Sequence, residues 1–256
     1  MKATLARPTL SVLAVAALAL ASVARSRGFD SQAGKATAPE EALQRAISNE
    51  AKLKTVELDY SYRQDILVQT FGEARSLTAQ LHRVSEFTYD DLGDRVERIL
   101  DYPPSPLTTA LDLPKPDFKS LIGIEPFFLT PETQTRYTVR FLERQKLDEL
   151  ATYAFAVEPV ELRGASKWPR GEHPFKGRIW IDDQDFQIVK AEGIAVLAKD
   201  ERARFPKFEF YREIVDDKYW LPSFLYADDV LNFRRFDLPI KVKITYSAYK
   251  RVRPGR

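Results

Sequence analysis

Residues 175–193 read FKGRIWIDDQDFQIVKAEG. Two apolar-rich runs flank Asp182, Asp183 and Asp185, and run–turn–run is the pattern of a β-hairpin. The same acids raise a second reading, a metal or catalytic site. A calcium loop of the EF-hand kind places oxygen ligands at alternate positions, a glycine sixth and a glutamate late. Asp183 and Asp185 alternate, but Phe186 and Gln187 already open the next apolar run, and no glycine follows in place. Acidic doublets recur between other apolar runs, at Asp90–Asp91 and Asp216–Asp217. Aspartate suits turns because its side chain bonds nearby backbone N–H groups and tolerates unusual dihedrals. The three acids are therefore read as a turn, with no metal and no cofactor assigned.

Outward from this hairpin the chain keeps a period of two. In 57–69 the even positions are Leu58, Tyr60, Tyr62, Gln64, Ile66 and Val68, and the odd ones are mostly polar. That is a strand with one buried face. Segments 81–89, 95–102, 137–144 and 152–161 continue the alternation. Segments 175–181, 186–194, 207–215, 219–233 and 238–249 complete about ten strands joined mostly by short turns. The class is mainly β: one large antiparallel sheet curled into a barrel or half-open barrel.

Two segments depart from that period. Thr37 stands as a candidate N-cap before Pro39, Glu40 and Glu41, and Leu43, Ala46, Ile47 and Ala51 follow at helical spacing. A helix over 39–54 is expected, its narrow apolar stripe laid over the mouth or edge of the sheet. Residues 102–136 (YPPSPLTTALDLPKPDFKSLIGIEPFFLTPETQTR) carry seven prolines among many apolar side chains. A connection this long is uncommon in a compact domain and usually functional. It reads as a proline-rich cap with short helical turns over the open side of the sheet.

The chain opens with basic Lys2 and Arg7, an apolar run at 10–20 and small-residue cleavage patterns at 19–21 and 22–24. Residues 1–24 read as a secretory signal, too short to remain as a membrane span. Residues 25–36 read as a flexible leader, and 37–256 as a single domain. Export points to the periplasm. The formal net charge of +2 equals the two basic residues of the signal, so the remainder is balanced and offers no nucleic-acid partner. With no cysteine, disulfides, thiolate metal sites, a Cys nucleophile and a lipoprotein anchor are all excluded.

The catalytic inventory is thin. His82 lies inside an alternating strand and His173 in a loop, with no metal-ligand spacing between them. No GxSxG elbow and no glycine-rich phosphate loop occurs. A carboxylate pair assembled by folding leaves no local signature, so a hydrolase stays open as a rival. Aromatic residues make up 12% of the chain, and many fall on strand faces. Together with the apolar cap they suit a sheet whose concave face encloses an apolar cavity.

The stretch 175–193, with FPKFEFYREIVDDKYWLPSFLYADD (205–229), YSYRQDILVQT (60–70), IEPFFLTPE (124–132) and RYTVRFLERQKLDELATYAF (136–155), resembles the LolA/LolB-like carriers grouped with outer-membrane lipoprotein-sorting proteins. The likeness spans most of residues 55–250. It implies a strongly curved antiparallel sheet forming a half-open barrel over helices, an apolar cavity receiving acyl chains, and no covalent chemistry. The acylated receptor branch needs a cysteine that this chain lacks, so the soluble kind is implied. The lid arginine of the carrier branch has no assigned counterpart here.

The expectation is a non-enzymatic periplasmic carrier or binder of lipid or lipoprotein acyl chains serving outer-membrane lipoprotein sorting. Leu121, Ile124, Phe127, Phe128, Trp180, Trp220 and Phe224 are the candidate cavity or cap residues. The alternative is an envelope sensor or protein-binding module of the same fold, with an envelope membrane protein as partner. Ile179 and Ile181 alternate with Trp180, so the three cannot all line one wall. Which face of this hairpin looks inward is the question for the structure.

Overall fold

The computed structural model describes residues 37–107, 129–160, 175–195, 206–232 and 237–253. One helix, α1 (Pro39–Glu57), precedes ten strands: β1 (Tyr60–Phe71), β2 (Leu77–Tyr89), β3 (Arg95–Asp101), β4 (Tyr137–Leu147), β5 (Leu150–Pro159), β6 (Phe175–Asp182), β7 (Ile188–Ala195), β8 (Phe208–Val215), β9 (Tyr219–Asn232) and β10 (Asp237–Arg251). They form a single sheet in the order β3-β2-β1-β10-β9-β8-β7-β6-β5-β4. Every ladder is antiparallel. The order is an up-and-down meander cut once. Each strand pairs with its sequence neighbour except at β3–β4, while β1 pairs with β10. Among the described residues the sheet therefore stays open, with β3 and β4 as its two edges.

Strand boundaries shift from the sequence pattern where turn chemistry intervenes. β7 starts at Ile188, two residues late, because Phe186 has φ 51 and still belongs to the turn. α1 runs to Glu57, three residues beyond the expected end. Its N-cap is Ala38, not Thr37, and no side chain caps it. Thr37 instead contributes its carbonyl, which accepts the Tyr153 hydroxyl at 2.9 Å.

The alternation produces one large core. Ile179, Ala191, Phe210, Leu225, Ile244 and Ile66 stand opposite one another across six adjacent strands, and all six are buried in the same cluster. Burying one such aliphatic or aromatic side chain contributes about 1.5–3 kcal/mol. Ala42, Ala46 and Ile47 of α1 belong to this cluster, so the helix lies on the same face, the inner one. This settles the hairpin: Ile179 and Ile181 point inward, and Trp180 outward.

One inner row contains two facing glycines, Gly177 and Gly193. A Cβ added to Gly177 would lie 1.8 Å from the Glu192 carbonyl oxygen, so only glycine permits this approach of β6 to β7. Phe175 and Phe208, 5.4 Å apart in an edge contact, flank the pair and supply the apolar surface the glycines lack. Elsewhere the sheet is bent by bulges. Leu142 is the extra residue on β4, Val189 on β7 and Ser223 on β9; a bulge increases local twist and re-aims side chains.

Candidate functional site

The inner face is the natural place for a ligand, and α1 is fastened across it. Glu50 and Arg212 form a forked ion pair, Nη1 to Oε1 at 2.6 Å and Nη2 to Oε2 at 3.0 Å, with both side chains fully buried. Arg212 Nη1 also donates to the Ile188 carbonyl at 3.2 Å. Two charges survive burial only when paired and hydrogen-bonded, and removing one partner strands the other. Asn49 Nδ2 donates to the carbonyls of Asp185 and Phe186, both at 3.0 Å. The Arg45 guanidinium lies 4.7 Å from the centre of the Phe186 ring. The β6–β7 turn is thus a platform on which α1 sits.

The acids of that turn have separate tasks. Asp182 is 4% exposed and accepts the N–H groups of Gln184 and Asp185 at 3.0 and 2.7 Å. Burial raises its carboxyl above the ordinary range, against the pull of those two N–H groups. Asp183 pairs with Arg144 at 2.8 Å, and Asp185 accepts the Trp220 indole N–H at 3.4 Å. The other acidic turns follow suit. Asp90 accepts from the N–H groups of Leu92 and Asp94, both at 2.9 Å. Asp216 and Asp217 each have φ 53, and Lys218 N–H donates to the Val215 carbonyl, a primed turn matching the twist of a hairpin. Among the described residues no group of three or more His, Asp or Glu side chains is placed to hold a metal ion. His82 bonds to Asp65 at 3.0 Å; His173 lies outside the described residues.

Where α1 ends, the inner face becomes aromatic with polar tips. The Tyr62 ring stacks on Phe87 at 5.4 Å and leans on Tyr246 and Tyr249 at 6.0 and 5.5 Å. Burial pushes the Tyr62 hydroxyl up to about 12, with the Glu57 carboxylate acting in the same direction. Burial likewise raises Tyr246, which stands across from Gln64.

The longest connection, 102–136, runs from one free edge of the sheet to the other. Its described ends are anchored: Leu107 and Leu129 are 2% and 1% exposed and belong to the main core. Leu121, Ile124, Phe127 and Phe128, expected in the cap, lie outside the described residues. Trp180 and Trp220 pack together with Ala154 and Val189 in a second cluster apart from the main core. Phe224 is half-buried; it stands in register with Tyr211, on the row that runs through Lys190 to Trp180, and stacks on Tyr226. These three aromatics therefore do not share a wall with Ile179. Parity at Trp180 fixes this, and the bulges at Leu142 and Val189 turn extra apolar side chains outward beside it. The reading of the sequence missed Glu50–Arg212. One signal was visible: Glu50 falls on the stripe of Ala42, Ala46, Ile47 and Leu53, where an acid requires a buried partner.

Neither a family model nor a curated protein matches the chain. Solved structures similar to it include a putative outer membrane lipoprotein-sorting protein domain from Vibrio parahaemolyticus, 10% identical, with a TM-score of 0.39, covering 83% of this chain and 93% of that one. A LolA superfamily protein from Nitrosomonas europaea is 12% identical, with a TM-score of 0.35 over 80% of this chain and 93% of that one. The MucA/MucB complex of Pseudomonas aeruginosa provides another, 11% identical, with a TM-score of 0.24 over 80% of this chain and 94% of that one. Among the described residues no helix is long and apolar enough to cross a membrane.

Proposed function

We propose that this protein is a non-enzymatic carrier or binder of lipid or lipoprotein acyl chains, acting in the periplasm in the sorting of outer-membrane lipoproteins after removal of residues 1–24. The observation that carries the reading is the open seam. Among the described residues the ten-stranded meander is not closed, and its long apolar connection joins the edge strands β3 and β4 with Leu107 and Leu129 seated in the core. Such a seam gives alkyl chains a way onto the inner face without breaking a β-ladder. Each methylene buried there is worth about 0.8 kcal/mol. Leu121, Ile124, Phe127 and Phe128 would cover the chains as cap residues. Mass spectrometry of organic extracts of the purified protein, with titration of a fluorescent fatty acid, tests this. Co-purifying lipid and saturable binding are expected; neither lipid nor binding would sink the reading.

A second reading, a protein-binding module, is favoured by the β3 edge. All seven residues of β3 are exposed, with Val96, Ile99 and Leu100 about half so, and no described strand pairs with its outer side. An uncovered apolar edge is a template for strand addition by a partner. This reading expects Ile99→Lys to abolish a pull-down partner while leaving fatty-acid binding intact.

A further inference from the structure

Outer-face side chains of β4–β7 line a groove of about 580 Å³, which Val157, Gly177 and Gly193 of an inner row also border. Arg140, Ala156 and Arg178 stand opposite one another in register. Two guanidiniums thus flank a single methyl across two strand spacings, roughly 10 Å. Lys207 adds a third cation to the lining and Thr138 a hydroxyl. The two acids of the groove have lysine partners: Glu158 pairs with Lys176, also on the lining, at 2.5 Å, and Glu192, in register with Arg178, pairs with Lys190 at 3.6 Å. Among the described residues Arg140, Arg178 and Lys207 make no ion pair. Beside them Leu142 is half-buried and Ile194 is 49% exposed, both on the lining.

We propose that this groove binds a phosphate group borne by an amphiphile. One carboxylate offers two oxygens and one charge, too little for two forks and an ammonium. A phosphate offers more oxygens in more directions and suits paired arginines. The aliphatic surface of Leu142 and Ile194 would take the first carbons of an attached chain. This site is independent of the acyl-chain reading, since the side chains that would hold the phosphate, Arg140, Arg178 and Lys207, are exposed and belong to no part of the inner core.

The test is calorimetric titration of the full mature chain with inorganic phosphate and with dihexanoyl phosphatidylglycerol below its micelle concentration. Wild type is expected to bind both, the lipid more tightly. Arg140→Gln with Arg178→Gln, both at exposed positions, should weaken both probes by about tenfold or more, with an unchanged thermal melt. Arg178→Lys, which keeps the charge and loses the fork, should fall between. No binding to wild type, or binding untouched by the double substitution, overturns the site. Equal affinity for the two probes overturns the amphiphile and leaves free phosphate as the ligand. Fluorescent fatty-acid binding should not respond to the double substitution; a parallel loss would overturn the independence of the two faces.

Discussion

Ile179 and Trp180 are neighbours on β6 and both are buried, yet they belong to different cores. The inner core is assembled by alternation: rows of side chains run straight across the sheet and meet α1. The outer cluster is assembled by exceptions, with bulged Leu142 and Val189 filling in around one tryptophan. Its flanks, Leu142, Leu147 and Leu150, are only partly buried. Lys190 roofs it, the ammonium 4.9 Å from the Trp180 ring centre and 3.2 Å from Glu209. Burial pulls the Lys190 pKa down, but the hydrogen bonds to Tyr211 and Glu209 outweigh this and leave it raised. The inner core excludes water by depth, the outer one by a charged lid.

The largest test of this contrast is Arg212→Ala. It leaves the Glu50 carboxylate buried without its partner and should cost about 3–5 kcal/mol in urea unfolding. Replacing both by leucine should recover most of that. A single-substitution cost below about 1 kcal/mol would mean the pair is solvated and α1 is not held on the inner face.

Next come the two neighbours themselves. Ile179→Ala should cost about 2–5 kcal/mol, because rows of packed side chains cannot close over the space. Trp180→Ala should cost less despite the larger side chain, because the half-exposed leucines around it can settle inward. The reverse order, measured in the same denaturant, would make the outer cluster the more rigidly packed of the two.

The smallest effect lies at the turn joining both faces. Asp182→Ala removes the acceptor of two backbone N–H groups and should cost about 1 kcal/mol. Asp182→Asn keeps an acceptor and removes the titration. The folded-state pKa of Asp182 is raised, so the folded state holds the proton longer than the unfolded one. Stability is then greatest below the ordinary carboxylate pKa and declines as pH rises from there through the raised value. A melting series across this window should show the decline in wild type and a flatter line in the asparagine variant.

Much of the scaffold was legible in residues alone. Strands such as 57–69 and 238–249 announce themselves because one face is buried and the other is not. The acidic turns were legible because aspartate organises a turn with atoms that lie within four residues of it. Long-range choices were not. Nothing local says that Arg212 will meet Glu50, that β3 will be an edge, or that a bulge will send Val189 outward beside Lys190. For the candidate site, the connection between the two edge strands was legible as an anomaly in length and composition, while the cap residues expected in it lie outside the described residues. The side of the sheet on which Trp180, Trp220 and Phe224 stand was not legible, since it depends on parity and bulges.

The partners Glu50 and Arg212 lie 162 residues apart, and β1 takes β10 as its neighbour. The order of events in folding follows from this. As the chain is delivered from its amino end, α1 has nothing to rest on, and β1 to β3 form a three-stranded fragment with one side of β1 unpaired. The 15 residues of β10, arriving last, join that fragment to the rest of the sheet, so non-local pairing makes the final step slow. A premature stop before Asp237 should therefore be as damaging as a break in the middle of the chain.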